Sequence, residues 1–157
     1  METTNKTSFV LTENARTDLQ KETMARIEAD GVCPFCAEHF ETYHTEPVLK
    51  KTKNWILTTN FSPYGDGKAQ HHFLFVYNAG HINKPGEMTD DARIELFDLV
   101  DELSTKHNLE GGSILMRFGD GKINGSSVEH LHAHLIVGQR QDENTKGLKV
   151  KVGYIPK

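Results

Sequence analysis

The chain has 157 residues, the length of one compact domain, and at that size roughly 68–70% of the unfolded surface is buried on folding without disulfide staples. Its 22 acidic and 18 basic residues leave a net charge of −4, which argues against non-specific nucleic-acid binding through clustered Lys and Arg. With 36% hydrophobic and 25% charged residues, the composition is that of a soluble globular protein and excludes wholesale disorder.

The first residues, Met1 to Ser8, are polar, and Phe9-Val10-Leu11 is too short for the apolar region of a secretory signal. The longest apolar runs, Phe73–Tyr77 and Leu135–Val137, are strand-sized and far below the ~18 residues of a membrane span. A cytoplasmic protein with no membrane or nucleic-acid partner is the expectation. Asn14 to Asp30 is rich in helix formers, with Leu19, Thr23 and Ile27 near one face and Gly31 placed to end the helix. The Cys33-Pro34-Phe35-Cys36 turn follows, then a short helix over Ala37 to Tyr43. Trp55 to Thr59 is aromatic and β-branched and reads as a strand, as does His72 to Tyr77. Asn60 to Gln70 and His81 to Gly86 are loops.

Thr89 is positioned as an N-cap, with Asp90 and Asp91 at the positive end of the helix dipole. The helix behind it carries Leu96, Leu99, Val100 and Leu103 at core-facing spacing and ends near Asn108. Ser113 to Phe118 is a strand, Gly119 to Ser127 a Gly- and Ser-rich loop, His130 to Val137 a fourth strand and Leu148 to Tyr154 a fifth.

Nine histidines are unusual in a chain with only 18 Lys and Arg, and three of them alternate in His130-Leu131-His132-Ala133-His134. Strand alternation puts these imidazoles on one face, about 7 Å apart, and Leu131, Ala133, Leu135 and Val137 on the other. Two chemistries use such an array. Either one His is a nucleophile while the others donate hydrogen bonds or orient it, or the histidines ligate a metal directly. Cys33 and Cys36 have the spacing of a metal knuckle or, in a different setting, of a redox pair.

The segment from His130 to Ile136 matches, at all seven positions, the His-φ-His-φ-His-φ-φ pattern (φ apolar), so the chain resembles the histidine triad (HIT) family. Asn60-Phe61-Ser62-Pro63, His72-Phe73-Leu74-Phe75-Val76 and His81 resemble the same family's upstream block, and the resemblance covers about residues 33 to 138. It implies an α+β fold with an antiparallel sheet of about five strands and helices on one face. It also implies a single domain, with 1–32 as an N-terminal extension and 139–157 as a C-terminal tail or strand, and a homodimer.

The resemblance further implies a nucleotide hydrolase or nucleotidyl transferase acting at the α-phosphate through a covalent nucleotidyl-histidine. The substrate would be of the nucleoside phosphoramidate or dinucleoside polyphosphate type. His132 would be the nucleophile, His134 a donor to phosphate oxygens, and Ser127 an aid to the leaving group. Asn124, Gly125 and Ser126 would line the phosphate, Asn60 the ribose, and His72 the pocket. By the same resemblance, Cys33, Cys36, His81 and His130 would form a closed Cys2His2 set for structural zinc. His39, His44, His71 and His107 are then left as surface residues.

One departure stands out. Many family members carry Asn or Gln thirteen residues before the nucleophile, where this chain has Gly119. Arg117 or Asn124 are the candidates to replace its contacts. Two rival readings remain: a hydrolase whose histidine strand binds catalytic zinc, and a zinc-stapled nucleotide-binding module without catalysis.

Overall fold

The computed structural model describes residues 8–157. Its centre is a five-stranded, wholly antiparallel sheet in the order β1-β2-β3-β5-β4. The strands are β1 (Val48–Lys51), β2 (Trp55–Thr59), β3 (His71–Tyr77), β4 (Ser113–Arg117) and β5 (His132–Val137). β2 has the bounds its sequence predicts, and β3 begins one residue early. β4 stops at Arg117, and β5 starts only at His132.

The fifth strand is not Leu148–Tyr154, which forms no strand, but β1. Every residue of β1 is exposed, so no alternation of apolar and polar side chains marks it. It exists because its backbone pairs with β2. In the 148–154 segment, Val152 and Tyr154 are 70% and 54% exposed, so the alternating side chains have no face to bury. Lys151 O accepts from the Arg117 guanidinium instead, and the Tyr154 hydroxyl donates to Asn14 Oδ1 at 2.8 Å.

Helix α1 (Asp18–Asp30) starts later than expected, after a 3-10 turn over Thr12–Asn14. The Thr17 side chain caps it by accepting from Gln20 N, and Gly31 ends it with φ of 68°, a left-handed conformation suited to glycine. Its buried stripe is Gln20, Met24 and Ile27 rather than Leu19, Thr23 and Ile27. Leu19 is 64% exposed, and Thr23 turns its hydroxyl back to Leu19 O at 3.0 Å. Met24 and Ile27 pack with Val10 and Val128, which form an isolated antiparallel bridge. The next helix, α2, is one turn (Phe40–Tyr43), shorter than the predicted 37–43.

Helix α3 (Asp90–Lys106) matches its prediction closely: the Thr89 side chain accepts from Ala92 N. Ala92, Leu96, Leu99 and Leu103 pack on Trp55, Leu57, Phe73, Phe75, Leu131, Ala133 and Leu135, while Val100 is only partly buried. The Trp55 indole N–H donates to Ala92 O at 2.9 Å, tying β2 to the helix. Burying these aliphatic and aromatic groups supplies the main stabilisation, roughly 1.5–3 kcal/mol for each large side chain.

Period-two alternation then turns His72, Leu74 and Val76 of β3, and His132 and His134 of β5, to the opposite face. That face is covered in part by Phe40 of α2, packed on Ile56, Leu74 and Val76. Part of the predicted loop 119–127 winds into a single turn, α4 (Gly121–Asn124), with Asp120 accepting from Lys122 N and Gly125 at φ 80°. Among the described residues no helix is long and apolar enough to cross a membrane.

Candidate active site and metal group

β5 lies between β3 and β4, so His132 and His134 are held by a ladder on both sides and line a cleft of about 1480 Å³. Their hydrogen bonds set opposite tautomers. His132 Nδ1 lies 2.6 Å from His130 O, so it must carry the proton and donate, which leaves Nε2 with its lone pair. His72 Nδ1 accepts from Tyr64 N at 3.2 Å, so the His72 proton is on Nε2. That Nε2–H donates to His134 Nδ1 at 2.7 Å, and the His134 proton is therefore on Nε2. His134 Nε2 is buried and has no protein partner among the described residues. With ring centroids 5.1 Å apart, the two imidazoles form a pair made of one bare nitrogen and one unused N–H.

Burial keeps these rings neutral. It pushes His132 down to about 4, against the opposing effect of its bond to His130 O and with Arg117 adding to the shift. His72 is likewise pushed to about 4, by burial first and then by Arg16, Arg117 and His132. Burial also holds His134 well below the ordinary range, with His132 and His72 adding to it. A neutral His132 is a competent nucleophile, and a neutral His134 still donates.

The loop before β5 reaches the same cleft through Gly125, Ser126 and Ser127. Gln20 Nε2 is 3.5 Å from Ser127 Oγ. The Ser126 hydroxyl donates to Val128 O, so its side chain is spent inside the loop. Asn124 is committed in the same way: Nδ2 donates to Phe118 O and Oδ1 accepts from Ser126 N, each at 2.7 Å. Asn60 lines the cleft, with Oδ1 accepting from Ser62 N and Nδ2 3.2 Å from His72 Nε2.

The other cysteine and histidine residues converge a short way off. The ligating atoms of Cys33, Cys36, His81 and His130 all lie within 4.8 Å of one another, a group able to hold a metal ion. The separations are 3.3 Å for Cys33 Sγ to His130 Nδ1, 3.5 Å for Cys36 Sγ to His81 Nδ1 and 3.2 Å between the two Nδ1 atoms. A tetrahedral zinc with ordinary bond lengths requires edges of about 3.5 Å for S···N and about 3.3 Å for N···N. His130 Nε2–H donates to Tyr77 O at 2.7 Å, which leaves Nδ1 bare toward the group. Burial raises the Cys33 thiol to about 12, a cost that a bound dication offsets by favouring the thiolate.

Sequence reasoning missed three contributors. Phe35 stands edge-on to both His130 and His132, with centroids at 6.2 and 5.0 Å, and so touches one histidine of each cluster. Tyr64 stacks at 5.5 Å on His134, and the Arg16 guanidinium lies 4.4 Å above Tyr64. None of these carries a local signal, because loops far apart in sequence bring them to the cleft. His44 is not the surface residue expected: it is half-buried, stacks on Phe40 at 4.6 Å and is 2.8 Å from Thr58 Oγ1. His71 stacks on Phe73, and His107 lies beside them both.

The fold and site define a class: an antiparallel α+β domain presenting a His-x-His-x-His run at the head of a central strand, behind a glycine-containing loop. The sequence profile of the HIT domain matches residues 48–141, more than half of the chain, and the protein belongs to that family. Solved structures agree in fold. A histidine triad nucleotide-binding protein from Candida albicans superposes with a TM-score of 0.57 at 21% identity, covering 80% of this chain and 85% of that one. A HIT family hydrolase from Legionella pneumophila gives 0.50 at 24% identity, over 70% and 95%. A zinc-bound histidine triad protein from Mycobacterium smegmatis gives 0.53 at 15% identity, over 72% and 79%. Among curated proteins there is no significant sequence match.

Proposed function

We propose that this protein is a nucleotide hydrolase or nucleotidyl transferase acting at an α-phosphate through a covalent intermediate on His132. The observation that carries this reading is the tautomer pair: a bare Nε2 on His132 beside a protonated, unpartnered Nε2 on His134. The His132 Nε2 lone pair attacks phosphorus as the bond to the leaving group breaks, while His134 Nε2–H stabilises charge gathering on a phosphate oxygen. Ser127 passes a proton to the leaving group, and loop backbone near Gly125 and Ser126 lines the phosphate. Water, or another acceptor, then attacks phosphorus and returns a proton to Ser127, the N–P bond breaks, and His132 recovers its lone pair. Asn60 and His72 flank the nucleoside side of the pocket, and the substrate is of the phosphoramidate or dinucleoside polyphosphate type.

Cys33, Cys36, His81 and His130 hold structural zinc on this reading. When bound, the ion closes a crosslink from the Cys-Pro-Phe-Cys turn to the head of β5 and contributes no reacting group. His132 belongs to none of the metal-holding groups among the described residues, which favours nucleophile over ligand. β4 is an edge strand with Ile114 exposed, which supports the homodimer expected of the family, in the cytoplasm. Sedimentation at micromolar concentration tests the assembly, and a monomer there removes it.

The chemistry is tested by mass spectrometry after brief mixing with an adenosine phosphoramidate. A nucleotidyl adduct is expected on the His132 peptide, and it should be absent from His132→Ala, which keeps its metal. Loss of the metal in that variant would favour a catalytic zinc site instead. Tight AMP binding without release of AMP from a panel of adenylylated compounds would favour a binding module.

A further inference from the structure

The cleft that holds His132 and His134 is strongly positive in a chain of net charge −4. Arg16, Lys68, Arg117, Lys146, Lys149 and Lys151 line it, against only Asp66 and Glu143. Two of these cations share one aromatic ring. Arg16 lies 4.4 Å above Tyr64, and Arg117 is 5.8 Å from the same ring and donates from Nη1 to the Tyr64 hydroxyl at 2.7 Å. Neither guanidinium has a carboxylate within salt-bridge distance among the described residues. Each is held in place by neutral oxygens: Arg16 by Ser62 O, and Arg117 by Asn124 O and Lys151 O. Burial and the nearby Arg117 charge disfavour the Arg16 cation, against the opposing effects of Tyr64 and Asp66. Two like charges fixed side by side in a cleft, with no protein anion between them, favour entry of an anionic ligand.

The pair also has a defined position relative to the reacting groups. Tyr64 is the ring that stacks on His134, so Arg16 stands one aromatic ring away from the phosphate donor. The Arg16 backbone N–H donates to Gln20 Oε1 at 2.9 Å, and Gln20 Nε2 reaches Ser127 Oγ. Arg117 is anchored to Asn124 O, in the loop that leads to Ser127. Arg117 therefore sits on the side of Ser127, while the Arg16 guanidinium, held by Ser62 O, faces it across Tyr64. Arg16 and the C-terminal lysines, moreover, come from outside the matched HIT segment 48–141.

We infer that Arg16 and Arg117, across Tyr64, form a second anion subsite, which takes a phosphate carried by the leaving group. The inference rests on the reading of His132 and Ser127 given above. It selects, between the two substrate types, nucleotides whose leaving group is itself phosphorylated over those whose leaving group is uncharged. The segment before the matched HIT region, through Arg16, then joins Arg117 of that region in determining which leaving group is accepted.

The test uses the full chain and two measurements. In calorimetry, inorganic tripolyphosphate binds the wild type, and its affinity falls as salt is raised. It binds Arg16→Gln about ten-fold more weakly and Arg16→Lys with an intermediate loss. In kinetics, Arg16→Gln lowers kcat/KM for diadenosine tetraphosphate about ten-fold more than for adenosine phosphoramidate, and Arg117→Gln shows the same split. Equal losses on both substrates, or tripolyphosphate affinity unchanged in both glutamine variants, overturn the subsite. If neither compound is turned over, it is the catalytic reading that fails. The calorimetry still decides the anion site.

Discussion

His130 and His132 stand two residues apart on one run of chain, both buried and both pushed to about 4 chiefly by burial, yet they present opposite nitrogens. His130 gives its Nε2–H to Tyr77 O and turns a bare Nδ1 to two cysteines and His81. His132 gives its Nδ1–H to the carbonyl of His130 and turns a bare Nε2 to the cleft. In each case a backbone carbonyl decides which nitrogen is free. The contrast teaches that a repeated residue type need not mean a repeated role. The second hydrogen bond of each imidazole fits one to ligate a metal and the other to act as the proposed nucleophile.

The contrast is open to direct attack. Cys33→Ser should empty the metal group, lowering metal content toward zero per chain and the Tm by about 10 °C or more, measured by elemental analysis and calorimetry. His132→Ala should do neither while abolishing turnover. A shared loss of metal in both variants would erase the division of labour. His72→Phe should come next, because it deletes the donor that keeps the His134 proton on Nε2. A fall of roughly 10–100-fold in kcat with metal content unchanged is expected, and wild-type kinetics would break the proton arrangement.

A smaller effect follows from pH. His72 is held neutral at about 4 by burial and by the facing charges of Arg16, Arg117 and His132, whereas an unfolded His titrates near 6.5. The unfolded chain therefore takes up the proton first. The stabilisation is complete above the unfolded value and is lost as pH falls toward the folded one. The Tm should drop by several degrees on acidification through that window, and His72→Phe should show a shallower drop. An equal drop in both proteins removes His72 from the account. Least of all, Thr89→Ala removes the cap of α3, far from both clusters. It should cost ~1 kcal/mol in denaturant unfolding and leave turnover and metal untouched.

How much was legible depended on the kind of signal. α3 was readable because its cap and its apolar spacing agree, and β2 and β3 because their aromatic and β-branched runs are buried on both faces. β1 was invisible: its Val-Leu-Lys-Lys run is exposed throughout, and only pairing with β2 makes it a strand. The 148–154 segment shows the reverse, an alternating pattern with no partner strand beside it. The family resemblance points to Cys33, Cys36, His81 and His130, and the structure brings all four together. It points to Asn124 too, but that amide is used at both ends within its own loop.

By itself, then, the sequence determined the family, the sheet's central strands, the long helix and which histidines share one run of chain at the cleft. Those follow from local periodicity and from a short motif whose spacing maps directly onto one face of a strand. Only the tertiary structure decided which nitrogen each imidazole offers, that Phe35 touches both His130 and His132, and that Arg16 and Arg117 meet across Tyr64. These depend on carbonyls and side chains contributed by remote segments, and no pattern within one segment encodes a contact between two.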